Sequence, residues 1–312
     1  MMKRIVYIAV IAGLTGNLLA GCTAVKPLDF TPGHNERSTE YLENLLAFKA
    51  KKSHKVSIAV IESTPGYPTR ANQHLTAYPD SLDYIALKGL EPLYSGLAAE
   101  MDQLRPLGIK VLHVVDYSMA YDSWMEDHLE LEEGFLAHLK DYTDRQIASA
   151  NAYSYDGIII SYLGKTTSEI EVQAQAQFME DCRNWVKTHS GTEVIFRGYT
   201  RNLADPSFLE GCSYIIFVPG DNSSMGEVNL AVYAQLTEGV PTDRAVLEVA
   251  IPDAINGDKV GPTAELAASW VKEFSDRVTK KGLAFANAQD DYYHPDRIFP
   301  EIRDGINLSH RK

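Results

Sequence analysis

Short apolar runs recur along the chain from residue 56 onward, and they alternate with longer segments whose apolar residues have helical spacing. The runs consist mainly of Val, Ile and Leu with little polar alternation, which is typical of strands buried on both faces of a parallel sheet. We therefore predict eight strands, at Val56–Glu62, Leu82–Leu87, Ile109–Asp116, Asp156–Leu163, Glu193–Tyr199, Tyr214–Val218, Ala245–Ile251 and Leu283–Ala288.

Most of the segments around these strands predict helices, because their apolar residues recur every three or four positions. The stretch from Ser63 to Ser81 contains three prolines and a glycine, and it is predicted as a loop. Eight strand–helix units within about 250 residues favour an α/β fold, the single-domain (β/α)8 TIM barrel, with an open doubly wound sheet as the alternative. The predicted helices are Arg37–Lys51, Leu93–Leu104, Trp124–Ala150, Ser168–His189, Pro206–Glu210, Met225–Thr237, Pro262–Lys280 and Pro300–Ile306.

The first residues have the pattern of a secretory leader. Lys3 and Arg4 precede the apolar run Ile5–Leu14, which is too short for a spanning helix of about 20 residues. Leu-Ala-Gly-Cys follows at residues 19–22 and resembles a bacterial lipobox, which implies cleavage before Cys22 and lipidation of its thiol. An ordinary signal peptide with a chance cysteine is the alternative. We predict a signal peptide over 1–21, a lipid-anchored tether over 22–36 and the barrel over 37–312.

A lipidated Cys22 would hold the protein on a membrane without spanning it, since buried acyl chains contribute about 0.8 kcal/mol per methylene. The tether (TAVKPLDFTPGHNE) has two prolines, a glycine and no apolar periodicity. The expected location is the cell envelope, at the outer membrane. The residues after Cys22 include no acidic run, and they leave the choice of leaflet open.

The formal charge of −13 bears on which classes of partner we expect. The sequence has no basic stripe of the kind that nucleic acid requires, so no nucleic-acid partner is predicted. It also has no CxxC, HExxH, His/Asp cluster or glycine-rich phosphate loop, and neither a metal nor another cofactor is predicted. Cys182 and Cys212 are expected to be two separately buried thiols, although an exported protein could oxidise them.

Ligand-contacting residues of a TIM barrel lie at the carboxyl ends of its strands and in the loops that follow them. The rule nominates Glu62, Lys88, Asp116, Tyr117, Ser161, Tyr162, Arg197, Tyr199, Asp221, Asn222, Glu248, Asp253, Asn287, Gln289 and Asp290.

The fourth predicted strand carries the most informative motif. Asp-Gly-Ile-Ile-Ile-Ser-Tyr-Leu at residues 156–163 resembles the Asp-Gly-x-Asp-x-Asp-x-Glu signature of glycoside hydrolase family 18, which includes chitinases and endo-β-N-acetylglucosaminidases. Residues 107–112 (LGIKVL) are similar to the entry to that family's third strand, and residues 81–85 (SLDYI) to its second. A lipidated protein of this kind resembles the outer-membrane proteins of glycan-uptake systems, and the resemblance implies an N-acetylglucosamine-containing or related glycan as partner.

The resemblance also shows what is missing. In this family the N-acetyl group of the sugar attacks its own anomeric carbon, while the Glu of the motif protonates the leaving oxygen. The acid positions follow strand alternation and are expected to face into the barrel. Here they hold Ile159, Ser161 and Leu163, so only Asp156 remains of the acidic pattern. The motif is degenerate, and no catalytic residue is assigned.

Two further strands depart from the family pattern. The sixth strand lacks the Met-x-Tyr-Asp pattern, and the eighth lacks the Trp that floors the sugar subsite. We therefore expect a non-catalytic glycan-binding lipoprotein. One alternative is an active hydrolase that uses displaced acids among Glu62, Asp116, Asp221 and Glu248, which otherwise contact a sugar or pair with Arg197 and Lys88. The other is a structural or assembly lipoprotein of the outer membrane.

Aromatic side chains are the expected sugar platforms, because their faces pack against the C–H surfaces of a sugar ring. Trp124 and Tyr121 are preferred because they follow the third strand in a predicted polar loop, and the Tyr292–Tyr293 pair comes next. Trp185 and Trp270 fall inside helical periodicity and are expected in the core. The full set of candidates is Tyr67, Tyr117, Tyr121, Trp124, Tyr162, Tyr199, Tyr292 and Tyr293.

Overall fold

The computed structural model describes residues 37–63, 66–90, 93–252, 261–294 and 297–311. The predicted signal peptide, Cys22, the tether and the candidate Asp253 lie outside the described residues.

Eight parallel strands close into a barrel in sequence order, with β8 pairing with β1. This confirms the (β/α)8 TIM barrel, and each strand lies within three residues of its predicted start. The apolar runs form strands because each is buried on both faces, by the barrel interior on one side and by helices on the other. The strands are β1 Val56–Glu62, β2 Tyr84–Lys88, β3 Lys110–Asp116, β4 Gly157–Tyr162, β5 Glu193–Gly198, β6 Tyr214–Phe217, β7 Ala245–Ala250 and β8 Lys280–Ala286.

The helices of the described part of the chain pack around the barrel and over its ends. Short 3-10 helices lie between several of them, and the predicted helix near Pro206 is one of these, Pro206–Gly211. The α-helices are α1 Thr39–Lys49, α2 Leu97–Leu104, α3 Tyr117–Met125, α4 Gly134–Ala152, α5 Glu169–Thr188, α6 Met225–Tyr233, α7 Ala264–Lys272 and α8 Pro300–His310.

Two helix predictions are wrong. The segment Trp124–Ala150 is not one helix: α3 begins earlier, because the Asp116 side chain accepts a hydrogen bond from the Ser118 backbone N–H and caps it. Residues 126–133 (EDHLELEE) then separate α3 from α4, where like charges three and four positions apart disfavour a continuous helix. The predicted helix Pro262–Lys280 ends at Lys272, and Lys280 already belongs to β8.

The core has two layers. The barrel interior is filled by inward-facing residues of alternate positions, among them Ile58, Leu112, Ile159 and Ile216. The larger layer lies between the strands and the surrounding helices. Trp185 and Trp270 belong to this larger layer, which confirms their predicted place in the core. Cys182 and Cys212 are buried and not bonded to each other, as predicted.

Helix α1 covers part of the amino-terminal end of the barrel. The Tyr41 hydroxyl donates to Asp80 Oδ2 at 2.9 Å, and Lys49 Nζ donates to the Leu82 carbonyl; both partners precede β2. Gly108, which precedes β3, has φ +70° in the left-handed region, and a Cβ there would lie 3.1 Å from Leu46 Cδ2. The loops that lead into β2 and β3 are therefore tied to this helix.

Candidate functional site

Charged side chains collect at the carboxyl-terminal end of the barrel, here called the mouth. Strand register brings them to one level, since Glu62 pairs with Lys88, and Asp116, Ser161 and Arg197 align across β3, β4 and β5. A narrow cavity of about 50 Å³ lies among them. We define the mouth cluster as Glu62, Lys88, Asp116, Ser161, Arg197 and Glu248.

Arg197 is the centre of the first half of this cluster. Its Nε and Nη2 donate to the two carboxylate oxygens of Glu248 at 2.5 and 2.8 Å, and its Nη1 donates to Ser161 Oγ at 3.0 Å. Burial by itself would lower the pKa of the Arg197 guanidinium, but the charge of Glu248 and its hydrogen bonds raise that pKa above its ordinary value. The bidentate pair fixes the guanidinium in one orientation.

Lys88 is the centre of the second half. Its Nζ lies 3.1 Å from Asp116 Oδ2 and 3.5 Å from Glu62 Oε1. Burial opposes the charged form of Lys88, whereas Asp116 and Glu62 favour it, and the net effect raises its pKa. Each acid of the mouth cluster therefore has a cationic partner, which is the pairing that the sequence offered as the alternative to a catalytic role.

Ile159, Ser161 and Leu163, where the resemblance predicts the acids of the family motif, have three different environments. Ile159 is fully buried in the barrel interior, and Ser161 is buried and accepts the Arg197 hydrogen bond. Leu163 lies one residue beyond the end of β4 and lines a second cavity of about 120 Å³. None of the three side chains has an acidic proton.

Asp156 lies at the opposite end of the barrel from the mouth. Its Oδ2 accepts the Val111 backbone N–H at 2.8 Å, and its Oδ1 accepts from Arg105 Nε at 3.3 Å. The remaining acid of the motif therefore stabilises the entry to β3 and β4 and is remote from the mouth.

The second cavity lies beside the mouth, between α3 and the segment that follows β4. Tyr121 is 36% exposed, and it stacks on Tyr117 with ring centroids 6.3 Å apart. The cavity is lined by Tyr117, Ser118, Tyr121, Leu163, Gly164, Lys165 and Glu171. Ser118, Lys165 and Glu171 were not among the predicted site residues. Lys165 could have been predicted from its position just after β4. Glu171 lies in α5, and only the fold brings that helix to this cavity.

Two of the predicted aromatic platforms are buried. Tyr162 faces outward from β4 and is fully buried against Phe178 and Tyr117, with its hydroxyl donating to the Lys165 carbonyl at 3.0 Å. Tyr117 is also buried, although it lines the second cavity. Strand alternation gives the reason for Tyr162: its neighbour Ser161 faces inward, so Tyr162 must face the helices.

The segment around Trp124 is α3 and not the predicted polar loop. One face of the Trp124 indole stacks on His128 with centroids 3.7 Å apart, and its Nε1 donates to the Glu130 carbonyl at 3.0 Å. Trp124 also packs against Phe135. It offers less free surface than the sequence suggests, and Tyr121 is the better platform.

Four other candidates follow the carboxyl ends of β5 and β8. Asn287 adopts a left-handed backbone at the end of β8 and lines the mouth cavity. Tyr293 is exposed beside Tyr292, and Tyr292 packs on Phe299. The half-buried Tyr199 lies beneath the guanidinium of Arg201.

Asp221 and Asn222 are not brought to the mouth cluster. Asp221 is exposed in the turn after β6, and the Asn222 amide donates to the Pro219 carbonyl within the same turn. Neither residue lines the mouth cavity or the second cavity.

Two features are absent from the described residues. No group of three or more His, Cys, Asp or Glu side chains in this part of the chain could hold a metal ion. No helix within the same ranges is long and apolar enough to cross a membrane.

No protein-family profile and no curated protein sequence matches this chain. Solved structures do match it. An endo-β-N-acetylglucosaminidase from Cordyceps militaris has a TM-score of 0.60 and 16% identity, over 88% of this chain and 97% of the other. A variant of that enzyme in complex with fucosyl-N-acetylglucosamine-Asn has a TM-score of 0.56 and 15% identity, over the same shares.

A family 18 chitinase from Pseudoalteromonas aurantia has a TM-score of 0.51 and 10% identity, over 80% of this chain and 99% of the other. At such low identity the comparisons establish the fold. Over most of its length, this chain is structurally similar to chitinases of glycoside hydrolase family 18 and to endo-β-N-acetylglucosaminidases.

Proposed function

We propose that this protein is a non-catalytic, glycan-binding lipoprotein that captures an N-acetylglucosamine-containing glycan at the cell envelope. The observation that carries the proposal is the arrangement of Ser161, Arg197 and Glu248. At the position where the family motif has an Asp, Ser161 accepts a hydrogen bond from Arg197. The Arg197 guanidinium also donates to both carboxylate oxygens of Glu248.

The chemistry of the family requires a proton donor that this mouth does not supply. A positioned general acid contributes about 10²–10⁴-fold in rate, and Leu163 cannot act as one. The nearby acids are poor substitutes, because Glu62 and Asp116 are engaged with Lys88 and Glu248 is held on two oxygens by Arg197.

Glycan binding does not require a proton donor, and the side chains of the second cavity suit it. The exposed ring of Tyr121 offers an apolar face to a sugar, while Ser118, Lys165 and Glu171 supply polar groups beside it. Sites of this kind combine an aromatic surface with a few polar side chains. The Cordyceps enzyme, whose fold is similar, has been solved with fucosyl-N-acetylglucosamine-Asn, which supports a glycan of this class as ligand.

The anchor is part of the same proposal. Lys3, Arg4, the apolar run and Leu-Ala-Gly-Cys support export and lipidation at Cys22. A tether of residues 22–36 would then join the lipid to a barrel that begins with α1. We propose an outer-membrane location, where the protein would pass bound glycan to proteins of a glycan-uptake system.

Titration and turnover assays test this proposal together. The purified domain is titrated by calorimetry with chitooligosaccharides and N-glycans, and the same mixtures are analysed for released sugar. We expect binding without release. Release at an enzyme-like rate would show an active hydrolase with displaced acids, and the absence of both would leave a structural role.

A pair of aromatic variants locates the binding surface. Tyr121→Ala removes the ring at the second cavity and should weaken glycan binding about fivefold or more, since stacking aromatics contribute roughly 1–3 kcal/mol each. Phe274→Ala is the control, because Phe274 is 89% exposed and follows α7 on the way to β8, at the end of the barrel opposite the mouth. Equal affinity of the two variants would place the glycan elsewhere.

A further inference from the structure

The amino-terminal end of the barrel contains a larger cavity than the mouth, with a volume of about 330 Å³. It lies where the strands begin, between the segment after α1 and the starts of β3 and β8. Five of its lining residues are lysines, and we call it the lysine cavity: Lys49, Lys51, Lys52, Lys110 and Lys281. The rings of Tyr84 and Tyr214 lie in the same lining, with centroids 6.1 Å apart.

The acids of this region are already used in local contacts. Asp83 accepts from His54 Nε2 at 2.9 Å and from the Ser57 backbone N–H at 2.8 Å. Glu193 accepts from Lys110 Nζ at 2.6 Å and from the Tyr84 hydroxyl at 3.2 Å. Burial would raise the pKa of Glu193, but these hydrogen bonds and Lys110 lower it, so this carboxylate stays ionised and occupied.

The remaining lysines are compensated only in part. Within the described residues, no carboxylate lies at ion-pairing distance from Lys51, Lys52 or Lys281, although Asp243 interacts with Lys281 from farther away. Lys51 lies over the Phe48 ring at 5.5 Å, and Lys49 donates to the Leu82 carbonyl. A chain with a formal charge of −13 therefore gathers five partly compensated lysines around one cavity.

Such a cluster favours a further counter-charge. Ammonium groups that converge on a partly enclosed space repel one another, and the repulsion is stronger where solvent is excluded. Repulsion of this kind acts on Lys55, whose pKa is lowered by burial and then by Lys281 and Lys280. Burial lowers the pKa of Lys49 to about 8, against the raising influence of Asp83 and Asp80. A multiply charged anion in the cavity would relieve this repulsion and accept hydrogen bonds from several ammonium groups at once.

We propose that the lysine cavity is a binding site for a phosphate-bearing anion. The site is independent of the glycan site, because it lies at the opposite end of the barrel and shares no residue with the mouth cluster or the second cavity. Lysines suit phosphate as point charges, and several of them suit an anion with more than one negative charge. The phosphate belongs either to a small soluble compound or to a lipid headgroup at the membrane to which Cys22 is proposed to be anchored.

Inorganic pyrophosphate is the soluble probe. A ligand that binds only the folded state raises its stability, so millimolar pyrophosphate should raise the melting temperature of the wild-type chain by several degrees. Lys51→Ala/Lys52→Ala removes two exposed side chains and should lose most of this rise, with affinity falling at least about tenfold as charge-assisted hydrogen bonds are lost. Both lysines are exposed, so the fold of the variant is preserved.

The matched control removes two positive charges elsewhere. Lys140 and Arg145 lie on α4, where each pairs with an acid of its own helix. Lys140→Ala/Arg145→Ala should keep the full response to pyrophosphate. A response that is absent from the wild-type chain, or that both double variants keep equally, would overturn the soluble form of the site.

Vesicles form the second arm, with the chain expressed without its leader so that Cys22 carries no lipid. Phosphatidylcholine vesicles with roughly one fifth phosphatidylglycerol are compared with pure phosphatidylcholine, since anionic headgroups attract basic clusters by about 1 kcal/mol per lysine. Binding that needs phosphatidylglycerol and is lost in Lys51→Ala/Lys52→Ala, but not in the control, supports a headgroup source. If neither pyrophosphate nor these vesicles bind through the lysines, the proposal is wrong, whatever the outcome for glycans.

Discussion

The two ends of the barrel differ in how their charged side chains are arranged. At the mouth, each acid of the cluster meets a cation: Glu248 meets Arg197, while Asp116 and Glu62 meet Lys88. At the other end, five lysines surround the lysine cavity, and the acids Asp83 and Glu193 are held in local contacts. Every charge of the mouth cluster has a partner, with three carboxylates facing two cations, whereas lysines outnumber carboxylates around the lysine cavity.

This difference indicates what each end can recognise. The charges of the mouth are engaged with one another, which is why we propose an uncharged ligand such as a sugar at that end. The positive end retains a field, and a field attracts anions.

The largest effect is expected from breaking the buried pair at the mouth. Arg197→Met leaves Glu248, which is 9% exposed, without its counter-charge. Removing one partner of a buried pair costs about 3–5 kcal/mol, and the free energy of unfolding in urea should fall by that amount. The double variant Arg197→Met/Glu248→Leu should recover most of the loss, because no unpaired charge is then buried.

An exposed pair provides the comparison for this experiment. Arg145 and Asp141 lie 3.7 Å apart on the surface of α4, and Arg145→Met should change the unfolding free energy by only about 0–1 kcal/mol. If the double variant at Arg197 and Glu248 is as unstable as Arg197→Met alone, the loss comes from packing and not from the unpaired charge.

A smaller loss is expected at the amino-terminal end from Asp156→Ala. The substitution leaves the Val111 N–H and Arg105 Nε without their acceptor, which should lower the unfolding free energy by about 1–3 kcal/mol. Glycan affinity should not change, since Asp156 is remote from the mouth. A loss of binding with unchanged stability would contradict the structural role assigned to this residue.

Lys49 should produce a pH dependence at the same end. Its pKa is about 8 in the folded protein and about 10.5 in the unfolded chain, so between these values the unfolded chain holds more protons. Stability linked to this group therefore rises as the pH increases from about 8 to about 10.5. Denaturation at several pH values should show a smaller rise in Lys49→Met than in the wild-type chain.

The groups around Lys49 are Asp80 and Asp83, which favour its charged form, together with His54, Tyr84, Tyr214 and the other lysines of the cavity. Burial raises the pKa values of Tyr84 and Tyr214, so neither explains a rise that starts near pH 8. An identical pH profile in the variant would assign the effect to other groups.

The smallest effect is expected from Tyr162→Phe. The variant keeps the buried ring and removes one hydrogen bond to the Lys165 carbonyl, so stability should fall by about 1 kcal/mol. Glycan affinity should stay within twofold of wild type, in contrast to Tyr121→Ala. A large loss of affinity in Tyr162→Phe would restore Tyr162 as a sugar contact.

The strands of this protein were predictable because each is buried on both faces. A strand that is buried on both faces consists of a continuous run of branched apolar residues, as in residues 158–160 (III) of β4. Eight such runs with helical segments between them are compatible with few fold classes. Strand alternation also predicted that Ile159 and Ser161 face inward. The same rule, applied to Tyr162, excludes it from the mouth, although it was proposed there.

Other features could not be predicted from the local sequence pattern. The start of α3 depends on the cap from Asp116 to Ser118, which turns a predicted loop into a helix and covers Trp124 with His128. The pairing of Arg197 with Glu248 joins residues on β5 and β7, which are not adjacent in the sheet. Their side chains meet because both face into the closed barrel.

By itself, the sequence determined the barrel and the non-acidic residues at positions 159, 161 and 163, while an export signal at the N-terminus stays a prediction. Those properties depend on local spacing and on residue identity, which a linear chain displays directly. The tertiary structure decided which charges are neutralised and which are not. Lys49, Lys110 and Lys281 lie far apart in sequence, and they surround one cavity only because β8 closes against β1. Charge compensation depends on distance in space, and a folded chain sets those distances.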